Sequence, residues 1–234
     1  GNLVIGSSSG SFSGKAKDFR WFNNKALTQQ EINNIVNNSA NAPIPDYWLK
    51  MNEGTGNPVD TISGTKTATL TNGAYWSSGN ALVFDGIDDS ASIPNVAAIN
   101  NLDDYTITFW IYPTVHNAPS TPNIITKLYP SNNGFIIYFG SGAGNWIVNF
   151  RTVGNTGIGV SVTHDYILTN GVNRWYFIGV TVVRSTGAMK LYIDGVLRAQ
   201  GTNLDLGTNL SGTVANITIN GAGAPNKWAG NMRD

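Results

Sequence analysis

From Tyr105 to Phe109 the chain alternates, with Tyr105, Ile107 and Phe109 on one parity and threonines between them. A period of two is the signature of a half-buried β-strand, because successive side chains leave a strand on opposite faces. The pattern predicts a strand over Tyr105–Tyr112, and similar short runs recur along the chain at Leu3–Ile5, Phe12–Asn23, Tyr47–Met51, Thr67–Leu70 and Ala81–Phe84. Further runs follow at Ala91–Ile93, Asn123–Leu128, Gly134–Phe139, Trp146–Arg151, Gly157–Val162, Arg174–Val183 and Met189–Ile193. Val196–Ala199, Asn216–Ile219 and Trp228–Asp234 complete the series. Asp194-Gly195, set between two such runs, predicts a two-residue hairpin, since both positions of that turn need a residue tolerant of positive φ. One helix is expected, over Lys25–Val36. Thr28 serves as N-cap, Glu31 answers it three residues on, and Ile32 and Ile35 form the apolar stripe. Many short strands with almost no helix predict an all-β protein: two packed antiparallel sheets in a jelly-roll sandwich.

Asn37–Pro45 (NNSANAPIP) reads as a linker of prolines and small polar residues. It divides the chain into residues 1–36, a connecting stretch 37–46, and a sandwich over 47–234. The two ends repeat each other. Ser11–Asp18 (SFSGKAKD) parallels Lys227–Asp234 (KWAGNMRD), with Gly14 matching Gly230 and Asp18 matching Asp234. Upstream, Asn2–Gly6 (NLVIG) parallels Asn216–Asn220 (NITIN). The expectation is a tandem array sampled out of frame, with residues 1–36 as the tail of a preceding repeat or a permuted segment.

Composition narrows the function classes. The 27 glycines supply the turns that short strands demand, and no cysteine is present to make a disulfide or a thiolate metal site. Zero formal net charge gives no steering toward nucleic acid, and no apolar run approaches the roughly 20 residues of a spanning helix. The chemistry is concentrated in Ala81–Pro94 (ALVFDGIDDSASIP), where Asp85, Asp88 and Asp89 lie within one turn. Three carboxylates at one end of a sheet suit a hard cation such as calcium, and they equally suit a polar hairpin with turn-forming aspartates.

Several ordered motifs resemble the concanavalin A-like lectin/glucanase superfamily, in its laminin-G-like and pentraxin-like branch. They are YWLKMNEGTG from Tyr47, ALVFDGIDD, YTITFWIYP, RWYFIGVTV, LYIDGVLRAQG and FSGKAKDFRWFNNKALTQQEI. The last comes first in this chain, where the family order puts it at the end. The resemblance implies a structural calcium held between the early acidic turn, here Glu53, and a late-strand carboxylate, here Asp18 or its repeat equivalent Asp234. Lys17 and Arg233 stand where many relatives carry a second acid. Asp60, Asp85, Asp88 and Asp89 are the other candidate ligands.

Glucanases of the superfamily space acidic residues two apart on one strand, so that both carboxylates flank the glycosidic bond. This chain has two glutamates, Glu31 and Glu53, and no strand with such a pair. His116 and His164 fall in expected loops, away from any nucleophile. The sequence therefore argues against catalysis. For sugar contact, the aromatics in or beside loops are Trp76, Trp228, Tyr129 and Tyr166. Trp48, Trp110, Trp146 and Trp175 sit within strand patterns and are expected in the core. The function expected is a non-catalytic carbohydrate-binding or adhesion module, extracellular, on a bacterial or virion surface. Its partners would be a glycan and neighbouring copies of itself. The alternative is a structural or decoration domain without glycan binding.

Overall fold

The computed structural model describes residues 3–6, 12–65, 67–78, 81–93, 103–114, 123–128, 134–142, 145–153, 159–164, 171–202, 217–219 and 228–231. His116, Tyr129, Tyr166 and Asp234 lie outside the described residues.

The strands are β1 (Leu3–Gly6), β2 (Phe12–Asn23), β3 (Tyr47–Leu49), β4 (Thr69–Thr71), β5 (Tyr75–Trp76), β6 (Leu82–Asp85), β7 (Ser90–Ile93), β8 (Tyr105–Pro113) and β9 (Asn123–Leu128). They continue as β10 (Gly134–Gly142), β11 (Asn145–Val153), β12 (Gly159–His164), β13 (Tyr176–Val183), β14 (Ala188–Ile193), β15 (Val196–Thr202), β16 (Ile217–Ile219) and β17 (Trp228–Asn231). The helix α1 (Gln29–Val36) separates β2 from β3. An eight-stranded sheet runs β1-β7-β16-β9-β10-β11-β12, with β4 on β7. A nine-stranded sheet runs β15-β14-β13-β8-β17-β2-β6-β5, with β3 on β2. The pairings that build the sandwich are antiparallel, and β17 faces the same residues of β6 and β8 as the start of β2. This is the expected sandwich.

The core follows from the alternation. Phe19 and Trp21 of β2, Ile107, Phe109 and Ile111 of β8, and Ile178 and Val180 of β13 are fully buried between the sheets with Phe135 and Ile137 of β10. Trp21 stacks on Tyr105 with ring centroids 5.2 Å apart. The opposite face of the nine-stranded sheet is covered by α1, whose Ile32 and Ile35 bury against Phe22, Phe177 and Tyr192. Each such side chain contributes about 1.5–3 kcal/mol on burial. The helix begins where the sequence places its start, with Thr28 Oγ1 accepting from the Glu31 N–H and Glu31 Oε2 from the Thr28 N–H. Thr106 on β8 ties the lead-in down, accepting from the Leu27 N–H at 2.9 Å and donating to the Lys25 carbonyl at 2.8 Å.

Asp194 (φ 52°) and Gly195 (φ 74°) form the expected turn between β14 and β15. The Ala81–Pro94 stretch differs from a hairpin. β6 belongs to the nine-stranded sheet and β7 to the eight-stranded one, so Gly86–Asp89 is a corner where the chain crosses between sheets. His164, expected in a loop, ends β12 opposite Val148. Phe12–Asn23 forms β2, which pairs with β3, β6 and β8.

Candidate functional site

A cleft of about 440 Å³ opens on the helix-covered face of the nine-stranded sheet, beside the C-terminal end of α1. Its wall is built by β2, β3 and β8. Between Lys17 and Arg20 the register of β2 against β8 slips: Lys17 faces Trp110 and Arg20 faces Thr108. Three steps on β2 thus match two on β8, a β-bulge that leaves one residue to be re-aimed. Asp18 stands in that bulge at φ 61°, a left-handed conformation that aspartate tolerates better than most side chains, and its N–H donates to the Lys50 carbonyl at 2.8 Å. One carboxyl oxygen, Oδ1, accepts from both Arg20 Nε at 2.8 Å and Trp48 Nε1 at 2.6 Å. Burial pushes the Asp18 carboxyl above its ordinary range, and the Arg20 charge and the two hydrogen bonds offset part of that.

Arg20 and Trp48 are direct cross-strand partners. The Arg20 guanidinium carbon lies 4.4 Å from the Trp48 ring centroid and Lys50 Nζ lies 4.6 Å from it, both within cation–π range. Ile35, Val36, Asn38, Asn52 and Trp110 complete the lining. The cleft therefore joins two cations, a carboxylate, two indoles and two amides. That set can take a carboxylate and several hydroxyls at once.

The expectation that Trp48 and Trp110 fill the core is corrected here. Both are half-buried on the outer face, because Trp48 is out of phase with the buried Tyr47 and Leu49, and Trp110 with Phe109 and Ile111. Trp175 is partly buried against the core. Among the expected sugar-contact residues, Trp76 lies on β5 and donates its indole N–H to the Gly56 carbonyl at 2.8 Å. Trp228 lies on β17, and its side chain is outside the described residues.

The candidate metal ligands separate into distinct environments. Asp85, Asp88 and Asp89 each place a carboxylate oxygen within 4.8 Å of the others, and no other such trio occurs among the described residues. Glu53, Asp18 and Asp60 are not part of it. Asp60 is consumed by β3 and by the turn that follows it: Oδ1 accepts from the N–H groups of Trp48 and Ile62, and Oδ2 from that of Ser63. Glu53 Oε1 accepts from the Val59 N–H at 3.1 Å, while its Oε2 is buried without a hydrogen-bond partner. In the trio, Asp85 Oδ1 caps the Ile87 N–H and Asp89 Oδ2 accepts from the Asp85 N–H at 2.7 Å. Asp89 Oδ1 is buried and lacks a partner. Burial first, and then the charges of Asp85 and Asp88, push the Asp89 carboxyl up to about 6. The oxygen-only donor set, with an orphaned carboxylate oxygen at its buried end, suits calcium.

A laminin G family model described as "Concanavalin A-like lectin/glucanases superfamily" matches residues 84–234. The chain belongs to this superfamily. No curated protein matches it. Among solved structures, the receptor-binding domain of botulinum neurotoxin C/D mosaic serotype is similar over 79% of this chain and 45% of its own, at 20% identity and a TM-score of 0.58. The ligand-binding domain of botulinum neurotoxin serotype D, solved in complex with N-acetylneuraminic acid, is similar over 73% of this chain and 42% of its own. There the identity is 19% and the TM-score 0.55. The chain spans less than half the length of these proteins, and the likeness is one of fold. The two sheets present a polar aromatic cleft at the edge of a helix.

Proposed function

We propose that this chain is a non-catalytic carbohydrate-recognition module, and that the Asp18–Arg20–Trp48–Lys50 cleft takes the acidic sugar of its ligand. The observation that supports the reading is the stacking of two cations on one indole at the rim of a preformed cleft. A sugar carboxylate would meet Lys50 and the guanidinium of Arg20, while Asn38 and Asn52 would take hydroxyls. Asp18 does not touch the ligand in this account. It fixes Arg20 and Trp48, so that little side-chain entropy is lost on binding. The solved complex of a fold neighbour with N-acetylneuraminic acid is consistent with this chemistry. The setting proposed is extracellular, at a bacterial or virion surface. Among the described residues no helix is long and apolar enough to cross a membrane.

The test is a glycan array probed with the folded 234-residue protein, with calcium and again with chelator. Signal on sialylated or uronic-acid glycans, lost in Lys50→Ala, is the expected result. A blank array would overturn the reading in favour of a structural or decoration domain. Signal on neutral glycans that is indifferent to Lys50 would move the site away from the cleft. Calcium at Asp85, Asp88 and Asp89 is proposed as structural, ordering the corner between the sheets, so binding is expected to weaken under chelation only as the fold does.

A further inference from the structure

The terminal strand pairs of the chain are alternatives for the same places. In the eight-stranded sheet, β7 pairs with β4 along one edge, so its other edge has one ladder to offer. Two strands take it in the same register: Leu3, Val4 and Ile5 of β1 face Ile93, Ser92 and Ala91, and so do Ile217, Thr218 and Ile219 of β16. Across the slot on β9, Thr126 faces both Val4 and Thr218. The nine-stranded sheet repeats the arrangement. Gly14 of β2 and Gly230 of β17 both face Phe84 of β6 and Pro113 of β8, while Lys15 and Asn231 both face Val83 and Tyr112. The outer edges of β6 and β8 are already filled by β5 and β13. These registers match the sequence repeat, in which NLVIG parallels NITIN and Gly14 aligns with Gly230.

An edge residue directs one N–H and one C=O to a single neighbouring strand, so each slot holds one strand at a time. The chain thus carries two strand pairs that match these slots in register, β1 with the first residues of β2 and β16 with β17. We propose that the pair left over in one molecule fills the same slots of a second copy of this chain, displacing the pair that copy supplied to itself. Copies are then joined head to tail by exchanged strands. The donor recognises its acceptor by backbone ladders in a register both molecules already contain. The donating and accepting surfaces differ, so a reciprocal exchange closes as a dimer and a one-way exchange extends the chain of copies. Each exchange replaces a ladder with one in the same register, so assembly is governed by local concentration and is strongest where copies are tethered side by side.

The chain has no cysteine, so introduced thiols report without interference. The 234-residue Ser92→Cys chain is mixed with the mass-tagged 234-residue Thr218→Cys chain under a glutathione redox buffer. Thr126→Cys, on the opposite wall of the slot, serves as a second acceptor should Ser92→Cys fold poorly. Exchange predicts tagged heterodimers that increase with concentration, exceed by several-fold the yield with Ile44→Cys on an exposed loop, and fall when excess cysteine-free chain is added. Heterodimer no more abundant than with the Ile44→Cys control would overturn the proposal. So would quantitative intrachain closure of a Ser92→Cys, Thr218→Cys double variant at every concentration. Neither readout depends on glycan binding.

Discussion

The indole N–H of Trp48 on β3 reaches 2.6 Å across to Asp18 Oδ1 in the bulge of β2, on the oxygen that also accepts from Arg20. This contact joins a ring, a cation and a carboxylate into one wall, and it makes the stability of the cleft separable from its binding chemistry. Trp48→Phe keeps the ring and removes the donor, which is expected to cost about 1–2 kcal/mol, the penalty for a buried acceptor losing one partner. Asp18→Ala is expected to cost more, about 3–5 kcal/mol, because it leaves the Arg20 charge buried and forces alanine to a positive φ. Asp18→Asn should fall between them. Urea unfolding of the three variants checks the order, and equal costs would contradict the shared-oxygen account.

Part of this was legible from the sequence. The strict alternation of Tyr105–Phe109 and the Thr28–Glu31 pair encode local structure, and the structure has β8 and the capped α1 where those signals lie. The cleft was not legible in that way. Asp18 was visible as a carboxylate, but its position depends on a one-residue bulge that no local pattern marks. Trp48 looked like core because tryptophans in strands usually are. The available clue was phase, since Trp48 falls between Tyr47 and Leu49, both of which point inward. The Asp85-Gly86 turn shows the same limit. Its residues suit a hairpin and an inter-sheet corner alike, and the choice rests on which distant strands β6 and β7 join.

Asp89 predicts a pH dependence of stability. Its carboxyl rises from 3.8 to about 6 on folding, so between those values the folded chain binds more protons than the unfolded one. Stability from this group therefore falls as pH rises through that window, and the penalty is fully relieved below it. The penalty above pH 6 is about 1–3 kcal/mol. Asp89→Asn should flatten the dependence and unfold at higher urea than the parent at pH 7. An unchanged pH slope in the variant would place the effect elsewhere.

Calcium is expected to act on the same corner with the opposite sign. Binding at Asp85, Asp88 and Asp89 would offset the crowding of three carboxylates and raise the melting temperature at pH 7, and chelator should reverse the rise. Asp88→Ala should abolish the calcium response. A parent protein whose melting temperature ignores millimolar calcium would reduce the trio to a turn.

Gly73 guards that corner from the other side. Its φ is +116°, and a Cβ there would lie 2.9 Å from Asp89 Oδ1. Gly73→Ala is expected to destabilise by about 1–3 kcal/mol, from backbone strain and displacement of that carboxylate. Thermal unfolding measures it, and a neutral result would show that the turn relaxes freely.

The most direct test of the cleft is calorimetric titration of the parent and Lys50→Ala with a sialylated oligosaccharide and its neutral counterpart. Lys50 packs on the Trp48 ring at the rim of the cleft, so its removal should leave urea unfolding nearly unchanged. The account predicts that the parent prefers the acidic sugar, and that Lys50→Ala loses about tenfold or more in affinity for it, the worth of one charge-assisted hydrogen bond. Equal affinity in parent and variant, or no preference for the acidic sugar, would contradict it.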